Sequence, residues 1–288
     1  MECAERTVQI IYNRSAGRHS RATLAALRQG FEGRGAAVVL SECGPGSQIV
    51  IDDDASLVCA VGGDGTVRHV ALAMSRCGRS LPMSVYPSGT VNLVHREAGV
   101  RHTPHAHAER VMRADRQCGH YSVRINDTLF LACASVGPDS RAVAALSPLL
   151  KRYSGRLAYL FALSRVLGDW RRDEIEIVCQ DRTLVCEAFY VAKGRYFAGP
   201  WSFAPEARLD LPLLHVVTLE RARRRDFVRL VWALLRGRRV DALPGVTAFS
   251  CTDFIATAAQ RLPVQADGDV VAHLPAEFQL SPEPLLFR

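Results

Sequence analysis

Two short glycine-containing segments have the residue types that bind phosphate groups. The first, residues 62–66, reads Gly-Gly-Asp-Gly-Thr, and the second, residues 87–92, reads Pro-Ser-Gly-Thr-Val-Asn. Glycines allow a ligand to approach the backbone, and a helix that begins just after them presents N–H groups and the positive end of its dipole. Thr66 could cap such a helix and donate its hydroxyl to a phosphate oxygen. A tight turn capped by Asp64 would explain the first segment equally well.

Each segment lies between an apolar run and a helical pattern. Residues 57–61 and 81–86 predict buried strands, and helical patterns follow from residues 67 and 93. In an open parallel sheet, strand–helix turns lie at the carboxyl ends of the strands, where ligands bind. The two turns could therefore hold one nucleotide from two sides. Neither of the commoner nucleotide loops, G-x-x-x-x-G-K-[ST] or G-x-G-x-x-G, occurs in the chain.

In these segments the sequence resembles the diacylglycerol kinase catalytic family, which includes soluble bacterial lipid kinases and sphingosine kinases and has an NAD kinase-like fold. The matching residues read GGDGTV at 62–67 and PSGTVNLVHREAG at 87–99. The resemblance implies ATP as the phosphoryl donor, Mg²⁺ as the cation and a lipid hydroxyl as the acceptor. The nucleotide-binding residues that it implies are Asn13, Ser41, Gly62, Gly63, Asp64, Gly65, Thr66, Val67, Arg68, Gly89, Thr90 and Asn92.

Phosphoryl transfer also needs a divalent cation and a base that orients the acceptor hydroxyl. A carboxylate beside phosphates is repelled unless a cation bridges them, so Asp64 is expected in the Mg²⁺ environment. The segment Gln-Ala-Asp-Gly-Asp at 265–269 resembles the acidic segment of the family, which implies Asp267 and Asp269 as catalytic residues. Asp269 stands where the family has glutamate. The alternative for this segment is a plain Asp-Gly hairpin turn.

A second cation is implied by the resemblance alone. The family holds a structural Mg²⁺ with an aspartate side chain and two backbone carbonyls, which by position would be Asp210, Ala207 and Pro212. Leu211 takes the place of the glycine that usually follows this aspartate.

Neither the cysteines nor the histidines predict a further metal site. The nine cysteines form no CxxC pattern and are typical of buried free thiols in a reducing cytosol. Three nearby histidines, His102, His105 and His107, lack a carboxylate or cysteine at ligand spacing. Solvated loop histidines are therefore expected there.

The order of predicted elements indicates two domains. Residues 1–118 alternate strands and helices, which favours a Rossmann-like α/β nucleotide-binding domain, and residues 119–279 favour an antiparallel β-sandwich that binds the substrate. The tail, residues 280–288, could return to the first domain, as in the family. A helix is predicted at 151–166. The strands predicted in the second domain include 121–126, 128–135, 174–178, 184–192, 213–219, 246–251 and 254–258, with shorter ones near residues 264 and 271.

Composition and charge narrow the class of partner. The chain has 288 residues, 48% of them hydrophobic and 23% charged, as in a globular protein. Its formal net charge is +7, and only Lys151 and Lys193 among its 36 basic residues are lysines. Such a surface suits anionic lipid, nucleic acid or ATP, although a GC-rich coding sequence also favours arginine. No nucleic-acid partner is expected, because no motif interleaves aromatic and basic residues.

Residues 221–239 form a basic, amphipathic stretch. It could lie on an anionic membrane or pack as a helix on the β domain. Packing is favoured, because a helix is expected to cover a face of the predicted sandwich. The first residues lack an apolar signal core, and no apolar run approaches the length of a membrane span. A cytoplasmic protein with peripheral contact at the inner membrane surface is therefore expected.

The leading hypothesis is an ATP-dependent lipid kinase. The alternatives are a kinase of the same fold that acts on a soluble acceptor such as NAD, and a nucleotide-binding regulator without catalysis. The acidic pair at Asp267 and Asp269 argues against the regulator. The basic stretch and the length of the resemblance favour a lipid over NAD.

Overall fold

A computed structural model of the chain describes residues 6–17, 19–44, 47–97, 102–114, 116–145, 170–180 and 182–288. The chain divides into two compact units. Unit 1 comprises the residues up to His120 together with Glu283–Arg288, and unit 2 comprises Tyr121–Pro282. The helix predicted at 151–166 and the last residues of the second motif, at 98–99, lie outside the described residues.

Unit 1 is built on one six-stranded sheet. Its strands are β1 (Arg6–Asn13), β2 (Ala36–Cys43), β3 (Ala55–Gly62), β4 (Pro82–Pro87), β5 (Cys118–His120) and β18 (Leu285–Phe287), in the order β2-β1-β3-β4-β18-β5. The first four strands pair in parallel, β18 runs parallel to β4, and β5 is antiparallel to β18. Its helices are α1 (Arg21–Glu32), α2 (Asp64–Arg76), α3 (Leu93–Glu97) and α4 (Pro104–Arg113).

The core of unit 1 explains why these strands form. Alternate apolar residues of β1 and β3, such as Ile10 and Cys59, are fully buried against Leu27 and Phe31 of α1 and Val111 of α4. The predicted α/β class is confirmed. The prediction that Thr66 caps α2 is wrong, because the helix begins at Asp64 and Gly63 is its N-cap residue.

Unit 2 contains two six-stranded sheets. One consists of β10 (Arg182–Cys186), β9 (Ile175–Cys179), β14 (Asp253–Ala258), β17 (Ala276–Leu280), β6 (Val123–Ile125) and β7 (Thr128–Phe130), in that order. The other consists of β13 (Val246–Cys251), β12 (Leu214–Leu219), β11 (Ala188–Ala192), β8 (Cys133–Val136), β15 (Pro263–Ala266) and β16 (Asp269–His273). In the part of this unit that the structure describes, two helices accompany them, α5 (Pro138–Ala144) and α6 (Arg224–Leu235).

Side chains from both sheets form one buried core. Phe189 of β11 contacts Phe254 of β14 and Phe278 of β17, with ring centroids 5.8 Å and 5.6 Å apart. The neighbouring strands pair antiparallel. The predicted β-sandwich is therefore confirmed.

Two predicted strands are each divided between the sheets. The stretch 128–135 forms β7 in one sheet and β8 in the other, with a crossing at residues 131–132. The stretch 184–192 likewise becomes β10 and β11, separated at Glu187. Apolar residues continue through positions 131–132 and do not reveal the first crossing, whereas Glu187 stands between Cys186 and Ala188 at the second. The strand β17 was not predicted.

Candidate functional site

The ends of three adjacent parallel strands bring the predicted phosphate-binding segments together. Asn13 ends β1, Gly62 ends β3, and the second segment continues from β4. The N–H of Ser88 donates to the carbonyl of Gly62 at 2.9 Å, and the N–H of Val94 donates to Asp64 Oδ1 at 3.3 Å. The two glycine loops, residues 62–66 and 87–92, are therefore linked directly.

Close packing between the loops explains part of their glycine content. A Cβ atom added to Gly89 would overlap the Cα atom of Gly63, and one added to Gly62 would overlap the side chain of Thr66. A Cβ atom on Gly63 would lie 3.2 Å from the Cα atom of Gly89. The loops thus need glycine to pack on each other, whether or not a ligand is bound. Residues 63–65 remain half-exposed and can be reached by a ligand.

The other residues implied for the nucleotide lie around these loops and differ in exposure and in hydrogen bonding. Asn13 Nδ2 donates to Thr66 Oγ1 at 3.4 Å, and Thr90 is exposed. Asn92 has a φ of 55°, and its side chain accepts from the N–H of Gly89 at 3.0 Å and donates to its carbonyl at 2.8 Å. The side chain of Asn92 therefore holds the shape of the second loop.

The remaining three implied residues lie within regular elements. Ser41 lies inside β2, which continues to Cys43, and its hydroxyl accepts from Gln9 Nε2 at 2.9 Å. Val67 and Arg68 are buried in the first turns of α2. Their burial shows that they help to anchor the helix that follows the first loop.

In unit 2, the carboxylate of Asp267 is buried and accepts three backbone hydrogen bonds. Its oxygens lie 2.8 Å from the N of Leu131, 2.9 Å from that of Ala132 and 3.1 Å from that of Cys133. These N–H groups lie where the chain crosses from one sheet to the other, a place where the ladder of strand hydrogen bonds is interrupted. Asp267 therefore stabilises the crossing.

Asp269 belongs to the same hairpin but is less enclosed. It is the first residue of β16, opposite Ala266 of β15, and it is half-exposed. Between the two aspartates, Gly268 adopts a φ of 87°. The segment therefore has the geometry of the predicted Asp-Gly hairpin turn, and its two carboxylates differ in exposure.

A buried polar group beside this hairpin was missed from the sequence. Ser135 Oγ lies 2.5 Å from Asp139 Oδ2 and 2.8 Å from Gln265 Oε1. Burial raises the pKa of Asp139 to about 6, although the bond to Ser135 acts in the opposite direction. Since a hydroxyl has one proton, a protonated Asp139 can donate to Ser135 while Ser135 donates to Gln265. The one sequence signal was a carboxylate directly after Gly-Pro at a strand end.

The loop at residues 207–212 surrounds an ammonium group of the protein itself. Lys193 is fully buried, and its Nζ donates to the carbonyls of Arg208, Leu209 and Leu211 at 2.6, 3.1 and 2.8 Å. A compact ammonium can bond three converging carbonyls, whereas a planar guanidinium cannot fit the same space. A buried lysine in an arginine-rich chain is the sequence signal that could have revealed this contact.

The same loop contains Asp210, Ala207 and Pro212, the residues implied for a structural Mg²⁺. Asp210 forms a two-point ion pair with Arg208, at 2.9 and 2.6 Å, and Pro212 is exposed. Lys193 supplies a positive charge to the neighbouring carbonyls of Arg208, Leu209 and Leu211. The Mg²⁺ site implied for this loop, with one carboxylate and two backbone carbonyls, stays a prediction.

The expectation of solvated loop histidines is wrong for His107. It is buried in α4, where its ring packs edge-on against Tyr86 with centroids 5.3 Å apart. Burial, helped by the charge of Arg110, lowers the pKa of His107 to about 3, so that it stays neutral. His105, on the same helix, is exposed.

The chain thus combines a parallel α/β unit that carries two linked glycine loops with an antiparallel sandwich that follows it in sequence. The diacylglycerol kinase catalytic domain matches residues 7–120, and the YegS C-terminal NAD kinase beta sandwich-like domain matches residues 132–287. The chain therefore belongs to the diacylglycerol kinase family of lipid kinases.

Known relatives match the chain over nearly its whole length. It is 29% identical to a "Probable lipid kinase YegS-like" of Pseudomonas aeruginosa (strain UCBPP-PA14), covering 98% of this chain and 93% of the relative. It is 23% identical to a "Diacylglycerol kinase" of Bacillus subtilis (strain 168), covering 94% and 92%. A crystal structure of a diacylglycerol kinase from Bacillus anthracis str. Sterne superposes with a TM-score of 0.75 at 16% identity, covering 98% and 96%. This structure shares the fold.

Proposed function

We propose that this chain is an ATP-dependent kinase that transfers the γ-phosphoryl group of ATP to a lipid hydroxyl. The observation that carries the proposal is the junction of the two glycine loops, where the N–H of Ser88 bonds to Gly62 and Asp64 accepts from Val94. The junction lies at the carboxyl ends of parallel strands, the edge at which open α/β sheets bind ligands.

The triphosphate would bind where α2 begins. Gly63 is the N-cap residue and provides no side chain, so the first N–H groups of α2 can donate to phosphate oxygens. Asn13, Ser41, Thr66 and Thr90, with the other residues implied for the nucleotide, would line this site. Thr90 is the most exposed of them.

Asp64 fits the Mg²⁺ that accompanies ATP. Its carboxylate is half-exposed beside the first loop, and Mg²⁺ in such sites takes one or two carboxylates together with water and phosphate oxygens. When bound, the ion would neutralise charge that develops on the phosphates. Asp64 would therefore orient the phosphates while it also holds the start of α3 through Val94.

Asp267 and Asp269 are proposed to receive and orient the acceptor hydroxyl. Three backbone N–H groups hold the carboxylate of Asp267 in one orientation. An acceptor hydroxyl would therefore meet this carboxylate at a fixed place. Asp269, which is half-exposed, would share the proton or hold Asp267 and the hydroxyl in line.

The acceptor is proposed to be a lipid presented at the inner surface of the cytoplasmic membrane, where the chain would bind peripherally. No helix in the described ranges is long and apolar enough to cross a membrane. The formal net charge of +7 supports contact with anionic headgroups.

The test is a transfer assay with labelled ATP and purified protein. The acceptors are diacylglycerol, a sphingoid base and ceramide in mixed micelles, with NAD as a soluble acceptor. We expect label in a lipid product and none in NAD. Label in NAD alone would support the soluble-acceptor alternative, and ATP binding without transfer to any acceptor would support the regulator.

A further inference from the structure

The helix α6 has a buried face and a second, exposed apolar face. Phe227, Leu230, Ala233 and Leu234 are buried, and the ring of Phe227 lies 5.4 Å from that of Trp170. This face therefore packs, as favoured from the sequence. It also fixes which side of the helix points to solvent.

Three large apolar side chains form what we call the outer stripe of α6. Val228, Trp232 and Leu235 are 57%, 53% and 50% exposed. Their spacings of four and three residues place them in one row along the helix. Packing among the described residues does not explain this row, because its members are exposed at both ends and in the middle.

Arginines lie beside the outer stripe. Arg225, Arg229 and Arg236 are exposed and follow the same helical spacing, one step around the helix from the stripe. The guanidinium of Arg236 lies over the ring of Trp232, 4.4 Å from its centroid. An apolar row next to a basic row is the pattern of helices that lie in a membrane interface.

The charge of the whole chain is concentrated in this segment. Residues 221–239 contain eight arginines and one acidic residue, Asp226. This surplus of seven equals the formal net charge of the chain, so all the other residues together are balanced. Acidic residues that flank the segment, in the pairs Arg221–Glu220 at 3.9 Å and Arg239–Asp241, offset part of the surplus at its two ends.

We propose that the outer stripe of α6 and its arginines dock on an anionic lipid surface, with the helix lying parallel to the membrane. Trp232 would sit at the level of the headgroups, where its amphipathic ring is favoured, and the arginines would contact the anionic headgroups. A second copy of the chain fits poorly as the occupant, because two segments with this surplus would repel each other. The inference rests on the proposed lipid acceptor, whose surface this helix would meet.

The first experiment measures binding to vesicles by sedimentation, without ATP. The vesicles contain phosphatidylcholine alone or phosphatidylcholine with phosphatidylglycerol. We expect binding only when the anionic lipid is present, and a fall in binding as salt increases. Trp232→Ser should weaken binding on the order of tenfold because it removes a large apolar group. Arg225→Gln with Arg229→Gln should weaken it on the order of tenfold at low salt.

Matched control variants lie on other exposed surfaces. Val50→Ser replaces an apolar side chain that is 70% exposed, and Arg28→Gln with Arg113→Gln replaces two exposed arginines of unit 1. Both controls should bind vesicles as the parent does. Equal losses in the controls, or unchanged binding in the α6 variants, would overturn the proposal. Self-association in ultracentrifugation that the α6 variants abolish would assign the face to a second copy and would also overturn it.

A second measurement separates this inference from the proposed function. With a short-chain, water-soluble diacylglycerol, the α6 variants should turn over as the parent does, because no surface has to be bound. With long-chain lipid in anionic vesicles, their turnover should fall with their binding. Vesicle binding without transfer to any acceptor would reject the kinase proposal and leave the docking face in place.

Discussion

Unit 1 and unit 2 differ in whether side chains bond the backbone N–H and C=O groups at the ends of their helices and strands. At the glycine loops of unit 1, the helix α2 begins at Gly63, and its first N–H groups receive no side-chain cap from the described residues. In unit 2, the N–H groups at residues 131–133 are bound by Asp267, and three carbonyls of the loop at 207–212 are bound by Lys193. Unit 1 thus keeps polar backbone available for a ligand, whereas unit 2 satisfies its own.

This difference shows that residue type alone does not separate a ligand-binding charge from a structural one. Asp267 and the loop around Asp210 both resemble functional segments of the family. Asp267 itself, however, binds backbone N–H groups of unit 2, and the buried Lys193 binds carbonyls of the loop. The distinction can be tested, because structural charges should affect the stability of the fold and ligand-binding groups should affect the affinity for nucleotide. We expect the change in the free energy of unfolding to decrease from Lys193→Met through Asp139→Asn and Asp267→Asn to Gly89→Ala. Asp269→Asn is the matched comparison for Asp267→Asn.

Lys193→Met should cause the largest loss of stability. Removal of the ammonium takes a charged donor from three carbonyls, of which that of Leu209 is buried, and breaking a buried charged contact costs about 3–5 kcal/mol. Urea unfolding measures the effect, with the exposed Arg208→Met as control. Stabilisation of the nucleotide-free parent by Mg²⁺, if it is lost in Asp210→Asn, would support the metal ion implied for this loop.

Asp139→Asn should stabilise unit 2, in a pH-dependent manner. The pKa of Asp139 is about 6 in the folded chain and 3.8 in the reference state, so the folded state holds this proton more tightly. The parent therefore loses stability as the pH rises from about 4 to 6, by at most about 3 kcal/mol. Asparagine keeps a donor towards Ser135 and has no proton to lose. Parallel stability curves for parent and variant across this range would contradict the prediction.

Asp267→Asn should lower both stability and turnover. One amide nitrogen of asparagine would face a backbone N–H, so one charged hydrogen bond is lost, at about 1.5–3 kcal/mol. We also expect turnover with a lipid acceptor to fall by about 10²–10⁴-fold, since the acceptor for the hydroxyl proton is removed. Stability is measured by urea unfolding and turnover at saturating ATP.

Asp269→Asn serves as the matched comparison in the same hairpin. Since Asp269 is half-exposed, its stability should stay within about 0.5 kcal/mol of the parent, and its turnover should fall less than that of Asp267→Asn. Asp269→Glu, which restores the family residue, should retain or raise turnover. If Asp267→Asn loses stability but turns over normally, the aspartate is purely structural and the base must be sought elsewhere, with Asp64 next.

Gly89→Ala should separate the two loops of unit 1. The added Cβ atom would overlap Gly63, and such overpacking costs about 1–3 kcal/mol. We expect ATP affinity, measured by calorimetry, to fall in a protein that still folds. Gly44→Ala is the control, because nothing lies within 4 Å of the added atom. Unchanged ATP affinity in Gly89→Ala would show that the loops are only turns.

The sequence predicted the elements of the fold better than the environment of the charged groups. Short apolar runs located the strands of unit 1, because the central residues of β1 and β3 are buried on both faces of the sheet. The sandwich was predicted as a class, but the crossings at residues 131–132 and Glu187 were not, because neither a continuous apolar run nor a single polar residue predicts a change of sheet. The bounds of strands in unit 2 therefore needed the structure.

The candidate site was located in part. Its loops follow from local glycine patterns, whereas the contact of Gly63 with Gly89 joins positions 26 residues apart. The partners of Asp267 and Lys193 lie much further along the chain or in irregular loops, and no local pattern links them. Long-range contacts of this kind decide whether a charge is structural, and a single sequence does not contain them.

The position of β18 constrains the order in which the protein can be assembled. This strand lies between β4 and β5, but residues 285–287 follow all of unit 2 in the chain. During synthesis, the ribosome must release these residues before β5 can join the sheet through β18. Until then the edge of β4 offers unpaired N–H and C=O groups, which invite association with other chains. A fragment cut after His120 would keep this edge permanently, so unit 1 is poorly suited to production as an isolated piece.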